Sequence, residues 1–339
     1  MKFGIMDDAY EPDIERQQLD SEDDIICYGA TSEDNLPDSI SELDAVLLWH
    51  HLSLTSRTID RLKKCKVIVR AGVGYDSVDC RRSGEQGIPV VNIPDYGTND
   101  VADHCLSLIL AIARALPRYH DALSKNLVEN WRPDIGGSIH RITGARLGIV
   151  GFGRIGIAVA ARARAFGMHI EYFDPNLPDG YDKALQVERA MTLEELFSRS
   201  DFVTVHAPLT DETRGLIDRN ILRLAKPGLV LVNTARGAIV DLDAVYDALH
   251  VGQMKAFAAD VLECEPPSTD YRLIRALQDR EEWCQGRVLL TPHSAFYAEE
   301  SRQELREKAA VQMKNAAAGR ALQNCVNREF LVNSRSLIA

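Results

Sequence analysis

The chain has 339 residues, 45% hydrophobic and 26% charged, a balance that suits an ordinary globular protein with room for two cored domains. A formal net charge of −11 with no compensating run of Lys or Arg argues against nucleic acid as a direct partner. No apolar stretch approaches about 18 residues, so no membrane span is expected.

The opening MKFGIMDDAY reads as a first strand, not a signal peptide. Strands are predicted at 2–6, 24–28, 45–49, 66–70 and 89–92, with helical spacing over 55–64 and 77–86, and the charge run at 20–24 reads as a solvated loop. Short loops between such runs predict a parallel α/β sheet. NIPDYGTND then supplies a hinge, and 101–116 reads as a long apolar helix ending before Pro117. From Arg146 a second alternation begins, with strands ending near Asp174, His206, Ala235, Asp260 and Pro292. Thr192 and Glu195 form a capping box, and Gly228 and Gly252 mark turns between helix and strand. The run from Glu299 is an amphipathic helix that returns to the first half.

The expected architecture is therefore α/β, with two parallel-sheet domains, Rossmann-like and flavodoxin-like, and a cleft between them. Residues 1–97 plus 297–339 are expected to form the substrate domain, and 98–296, which carry the glycine-rich turn GFGRIG, the NAD-binding domain. Seven scattered cysteines without a CxxC suit a reducing cytoplasm and oppose a disulfide framework or a metal site. Cys264, beside Glu265, reads as a reactive thiol or as a bystander.

RLGIVGFGRIG carries a strand, a GxGxxG turn and a helix start. Gly151 allows the sharp turn, Gly153 lets the backbone approach a pyrophosphate, and Gly156 lets helix and strand pack closely. The helix opening at Arg154 and Ile155 points N–H groups at phosphate. Asp174 closes the next strand 18 residues after Gly156, where its carboxylate can accept both ribose hydroxyls. Its plainer reading is a turn residue before Pro175. No arginine follows to receive a 2′-phosphate, which favours NAD over NADP.

With NAD placed, hydride transfer is the expected chemistry. VNTARGAIVD, DVLECEPP and VLLTPHSAFY put Arg236, Glu265 and His293 just past the carboxyl ends of strands, where open α/β sheets bind ligands. Singly, each reads equally as a surface cation, a loop acid and a structural histidine.

Six motifs in order, RAGVGYDSVD (70–79), GFGRIG (151–156), VTVHAPLT (203–210), LVNTARGAIVD (231–241), AADVLECEPP (258–267) and TPHSAF (291–296), resemble the D-isomer-specific 2-hydroxyacid dehydrogenase family. HLSLT, FDPNLPDG and PHSAFY are similar to its C-terminal-binding-protein corepressor branch. The resemblance implies Arg236 as substrate arginine, Glu265 as acid partner and His293 as acid/base. His206, Thr234, Ala235 and Asp260 would line the cofactor, Asp260 at the nicotinamide amide. Val73 and Gly74 would receive the substrate carboxylate through backbone N–H groups, and His50 and Arg70 would face substrate or, equally, stand as a capping histidine and a strand-end cation. A small 2-keto or 2-hydroxy acid and a homodimer follow as partners. Residues 268–287 are longer than the family norm and read as a lid or an outer loop, and Phe296 stands where the corepressor branch has tryptophan. Two alternatives stay open. One is an NAD(H)-sensing corepressor-type protein. The other is a phosphorylated-acid (phosphoglycerate type) dehydrogenase that would use His50, His51 and Arg57.

Overall fold

Strands that are apolar on both faces need a cover on each side, and the first unit supplies it around a parallel sheet. The computed structural model describes residues 1–8 and 10–339; Ala9, in the opening stretch, lies outside them. β1 (Lys2–Ile5), β2 (Asp24–Cys27), β3 (Ala45–Leu48), β4 (Ile68–Arg70) and β5 (Val90–Asn92) pair in the order β2-β1-β3-β4-β5. Phe3, Ile5, Ala45 and Leu47 pack into one layer, and Val46, Leu48, Ile68 and Val90 into the other. This unit contains Met1–Gly97 and Tyr297–Ala339.

Its helices are shorter than their periodicity suggests. α1 (Asp13–Gln18) is followed by α2 (Ser56–Ile59), where the expected helix runs on to 64. Leu62 and Cys65 are both buried, so the chain turns inward toward β4 instead. α3 (Cys80–Glu85) starts late because Val78 bridges Leu54 in strand fashion, and the Asp79 side chain then accepts the Arg82 N–H.

The second unit, Thr98–Phe296, opens with α4 (Thr98–Ala113). Pro117 does not end this helix. Ala115 takes φ 52° and α5 (Leu116–Lys125) begins there, with Pro117 in its first turn, where a missing N–H removes no helical bond. The chain continues through β6 (Arg146–Val150), α6 (Arg154–Ala165), β7 (His169–Phe173), α7 (Tyr181–Leu185) and β8 (Glu188–Arg189). Next come α8 (Leu193–Arg199), β9 (Phe202–Val205), α9 (Arg219–Leu224), β10 (Leu229–Asn233), α10 (Leu242–His250), β11 (Met254–Ala259), α11 (Arg272–Gln278) and β12 (Val288–Leu290). The seven strands are parallel in the order β12-β11-β10-β9-β6-β7-β8. Thr192 accepts the Glu195 N–H and Glu195 accepts the Met191 N–H, a capping box that starts α8.

The 268–287 segment is neither lid nor loose loop. It forms α11, whose Leu273 and Ile274 are buried in the second unit's core with Cys284. Arg272 stacks 4.5 Å over the Tyr246 ring and bonds Asp243 and Asp247 of α10 at 2.9 Å.

α12 (Glu299–Ala317) returns to the first unit, where Leu305, Ala309 and Met313 are fully buried. Its Arg306 forms a two-point bond with the fully buried Glu15 of α1, at 2.8 and 2.6 Å. Among the described residues no helix is long and apolar enough to cross a membrane. All seven cysteines are free.

Candidate active site

The glycine turn joins β6 to α6, next to the switch point where the strand order reverses. Gly151 sits at φ 85°, and a Cβ there would strike the Ala207 nitrogen at the exit of β9. A Cβ on Gly156 would strike the Gly151 carbonyl oxygen, whereas one on Gly153 would meet open space. Phe152 points inward and stacks on Tyr172 at 4.2 Å. The turn is thus bare backbone on its open side and close-packed on its core side, which suits a pyrophosphate over the first turn of α6. Arg154 is exposed there, and Ile155 packs partly into the core.

Asp174 directly follows β7. Its two oxygens accept the Phe152 N–H at 2.9 Å and the Asn176 N–H at 3.0 Å, so it also shapes the turn while keeping lone pairs for ribose hydroxyls. His206 follows β9, with its N–H on the Val150 carbonyl at 2.7 Å. Its Nε2 lies 3.0 Å from Thr204 Oγ1, which in turn lies 2.9 Å from Cys105 Sγ. Burial lowers the His206 imidazole to about 3 and pushes the Cys105 thiol up to about 12, so both stay neutral. His206 Nδ1 is buried with no hydrogen-bond partner among the described residues, while the Thr234 hydroxyl lies against the Cys105 thiol. An unpartnered imidazole nitrogen just past β9, next to the glycine turn, is suited to a polar ligand. The residues present fit a dinucleotide.

β10, β11 and β12 are neighbours, and the three predicted chemical groups follow their carboxyl ends. Asn233, 1% exposed, shapes the first turn: it accepts the Ala235 N–H at 3.0 Å and donates to the Arg236 carbonyl at 2.9 Å. The Arg236 guanidinium donates to the Ala235 carbonyl at 2.8 Å. Gly237 lets this turn lie against the Glu265 loop, because a Cβ there would run into Leu262 and Glu263 backbone. Glu265 Oε1 accepts the Leu262 N–H at 2.9 Å, and Oε2 lies 2.6 Å from His293 Nδ1. Burial pushes the Glu265 carboxyl up, but His293, the Leu262 N–H and Arg236 outweigh it and hold it below its ordinary value.

His293 sits at φ 51°, a left-handed conformation that a non-glycine residue keeps only when its surroundings enforce it. Asp260 does the enforcing. Its carbonyl accepts the His293 N–H at 2.8 Å, and its carboxylate accepts from Thr291 Oγ1 (2.6 Å), Ser294 N–H (2.8 Å) and Ala295 N–H (2.9 Å). His104 of α4 adds a 2.9 Å contact to Thr291 Oγ1. Phe296 meets the His293 ring edge-on at 6.3 Å.

The structure therefore brings Arg236, Glu265 and His293 together on adjacent strand ends, and gathers Gly151, Gly153, Gly156, Asp174 and His206 around the glycine turn, with Thr234 two strands over at the end of β10. Sequence reasoning missed Asn233, Gly237, His104 and Thr291. In the first unit, Arg70 closes β4 and its guanidinium donates to the Ala71 carbonyl. The Val73 carbonyl accepts from Asn92 at 2.6 Å, Gly74 follows, and His50 lies just past β3.

A switch-point glycine turn, an acid at the end of the next strand and an unpartnered imidazole nitrogen just past the neighbouring strand fit a dinucleotide-binding domain. Residues 106–295 match the family model described as D-isomer specific 2-hydroxyacid dehydrogenase, NAD binding domain. The chain belongs to this family of NAD-dependent dehydrogenases, and its cofactor is NAD. It is 36% identical over 302 residues to D-3-phosphoglycerate dehydrogenase of Methanocaldococcus jannaschii, covering 89% of this chain and 55% of that protein. It is 36% identical over 306 residues to C-terminal-binding protein 1 of Caenorhabditis elegans, covering 88% and 41%. The chain thus spans about half the length of the curated relatives it matches. Among solved structures it superposes on D-lactate dehydrogenase from Aquifex aeolicus, complexed with NAD and lactic acid, with TM-score 0.83 and 28% identity over 94% of this chain and 96% of that one.

Proposed function

We propose that this chain is an oxidoreductase interconverting a small 2-keto acid and its D-2-hydroxy acid. The observation that carries the reading is the 2.6 Å bond between His293 Nδ1 and Glu265 Oε2, one strand end away from Arg236. When bound, NADH supplies the hydride. An ionised Glu265 accepts the Nδ1 proton, so the proton that His293 exchanges with substrate sits on Nε2. In the reducing direction Nε2–H protonates the ketone oxygen; in the reverse direction Nε2 takes the hydroxyl proton. The planar Arg236 fork holds the substrate carboxylate and polarises the carbonyl beside it. Asp174 takes the ribose hydroxyls, the turn from Gly151 to Gly156 takes the pyrophosphate, and His206 and Thr234 supply the buried polar contacts. Turnover of NADH over a panel of 2-keto acids, wild type against His293→Ala, tests this. Equal rates in the two remove His293 from the mechanism.

The likeness to C. elegans C-terminal-binding protein 1 favours a second reading, a cofactor-sensing binding protein with slow turnover. Tight NADH binding without appreciable turnover of any acid, together with a partner retained only in NADH, would replace the enzyme reading. The likeness to the M. jannaschii enzyme would extend the substrates to a phosphorylated acid. His50, His51 and Arg57, the last paired with Asp34, are the candidates for that role. A cytoplasmic homodimer completes the proposal, resting on the seven free thiols and on Leu127, Val128 and Trp131, which are 59%, 84% and 75% exposed on one short segment. Light scattering of wild type and Trp131→Glu reads the assembly.

A further inference from the structure

Cations at the carboxyl ends of helices need no ligand to explain them, because the last carbonyls of a helix attract positive charge. Arg223 and His250 stand in the last turns of α9 and α10, and the helix dipoles account for both. They do not account for what lies between the two helices. Within the second unit α9 and α10 leave a groove of about 290 Å³, at the small end of the range for ligand pockets, about 300–1,000 Å³.

The floor of the groove is apolar. Leu222 of α9 and Ala244 and Ala248 of α10 are buried along it, and the two alanines, one turn apart, stop at Cβ where longer side chains would close the space. Val251, just past α10, stands on the rim with 76% of its surface exposed. The wall is fixed from within the chain: Gln253 Nε2 donates to the Ala225 carbonyl at 2.7 Å, and the Gly228 N–H donates to the Gln253 carbonyl at 2.8 Å.

The rim carries surplus positive charge. Asp247, the carboxylate among the lining residues, is already taken, with Arg219 of α9 at 2.5 Å and Arg272 of α11 at 2.9 Å. Arg223 is left over, exposed and with no partner among the described residues. His250 is held by ring packing, stacked on Tyr246 at 5.7 Å and edge-on to Trp283 at 5.4 Å, and its nitrogens make no hydrogen bond among the described residues. On a chain of net charge −11, a cationic rim over an apolar floor selects an anion with an apolar body. One guanidinium and one imidazole match a single negative charge, and the guanidinium fork matches the two oxygens of a carboxylate. The groove is also distinct from the candidate active site. The turn carrying Arg236 runs into the amino end of α10 at Asp241, whereas His250 and Val251 lie at its carboxyl end, about 13 Å of helix away.

We propose that the α9–α10 groove binds a small arylalkanoate, its apolar body on Leu222, Ala244, Ala248 and Val251 and its carboxylate on Arg223 beside His250. The inference goes beyond the dehydrogenase reading and stands whether or not the chain turns over a 2-keto acid.

The experiment is calorimetric titration of the NADH-bound full chain with 3-phenylpropionate, compared with 3-phenylpropanol, which lacks the charge, and acetate, which lacks the ring. The same titration is run on Arg223→Glu and Val251→Glu, two exposed positions where substitution leaves the fold intact. The expected result is a Kd of about 1 mM or tighter for 3-phenylpropionate, weakened about tenfold or more in each variant and for each control compound, with NADH affinity unchanged. If one variant fails to fold, the other decides. No binding of 3-phenylpropionate, comparable binding of either control compound, or a smaller loss in a folded variant, which would put the acid elsewhere on the chain, overturns the proposal.

Discussion

Asp260→Asn isolates the device that holds His293. The wild-type side chain is 1% exposed; one oxygen serves Thr291 and Ser294, and the other serves Ala295. Asparagine keeps one acceptor oxygen. With that oxygen on the Thr291 and Ser294 side, the amide nitrogen faces the Ala295 N–H, donor against donor. A buried donor left without an acceptor costs about 1–3 kcal/mol, and losing the negative charge weakens the two surviving bonds by about 1 kcal/mol together. The sum, about 2–4 kcal/mol, lowers the Tm of a unit of this size by roughly 5–12 °C. The same bonds keep His293 at φ 51°, a conformation that costs about 1–2 kcal/mol by itself. Released, the turn relaxes and draws the ring away from Glu265, so kcat falls by about 5- to 30-fold. Thermal melting followed by circular dichroism, steady-state kinetics and NADH titration by fluorescence together read the outcome. A variant with wild-type Tm and kcat refutes the reasoning. So does one that loses NADH affinity alone, which would make Asp260 a cofactor contact and nothing more.

Gly237→Ala should disable the site with little effect on cofactor binding, because the added methyl has only Leu262 and Glu263 backbone to displace. kcat/KM for the acid should drop at least about 100-fold, from about 3 kcal/mol of misplacement between Arg236 and Glu265, while NADH affinity stays within a few-fold. Near-normal kcat/KM would show that the two loops need no close approach. His206 predicts an acid dependence of stability. Its folded value of about 3 lies below the unfolded 6.5, so the unfolded state binds the extra proton and stability falls as pH drops through 6.5 and continues to fall toward 3. Between pH 8 and pH 5 the loss from this group is about 2 kcal/mol, an upper bound because the residue keeps some exposure. Urea unfolding at the two pH values, wild type against His206→Asn, should show the variant losing less by up to that amount. Equal losses would remove His206 as the source.

The glycine turn was legible because its constraints are local. Gly151, Gly153, Gly156 and Asp174 each answer to geometry set within one strand–turn–helix, and the strand ends followed from apolar runs flanked by breakers. Arg236, Glu265 and His293 were legible only jointly, through the rule that places ligands at carboxyl strand ends. Gly237, Asp260 and Asp7 shape those ends through long-range contacts that no local pattern contains, whereas Asn233 works within its own turn, on Ala235 and Arg236. Asp260, expected at the nicotinamide amide, also binds the loop from Thr291 to Ala295 through its carboxylate. Asp7 meets a segment more than 40 residues away. Pro117 misled because proline reads as a helix stop, yet it opens α5. The 268–287 segment misled for a related reason: its length suggested a surface excursion, while buried Leu273 and Ile274 make it part of the core.

Both units solve one physical problem in the same way. Where a parallel strand ends, the following residues lose the ladder, and their N–H groups need acceptors that water cannot supply in a closed core. Asp7 after β1, Asp174 after β7, Asn233 at the end of β10 and Asp260 after β11 are short side chains that accept those N–H groups from the loops around them. A loop satisfied in this way has one conformation, so it can hold a left-handed histidine in place without help from a ligand. Glu265, the longer acid, accepts the Leu262 N–H of its own loop with one oxygen and reaches across to His293 with the other. The order of these loops is therefore built into the strand ends during folding, before any ligand arrives.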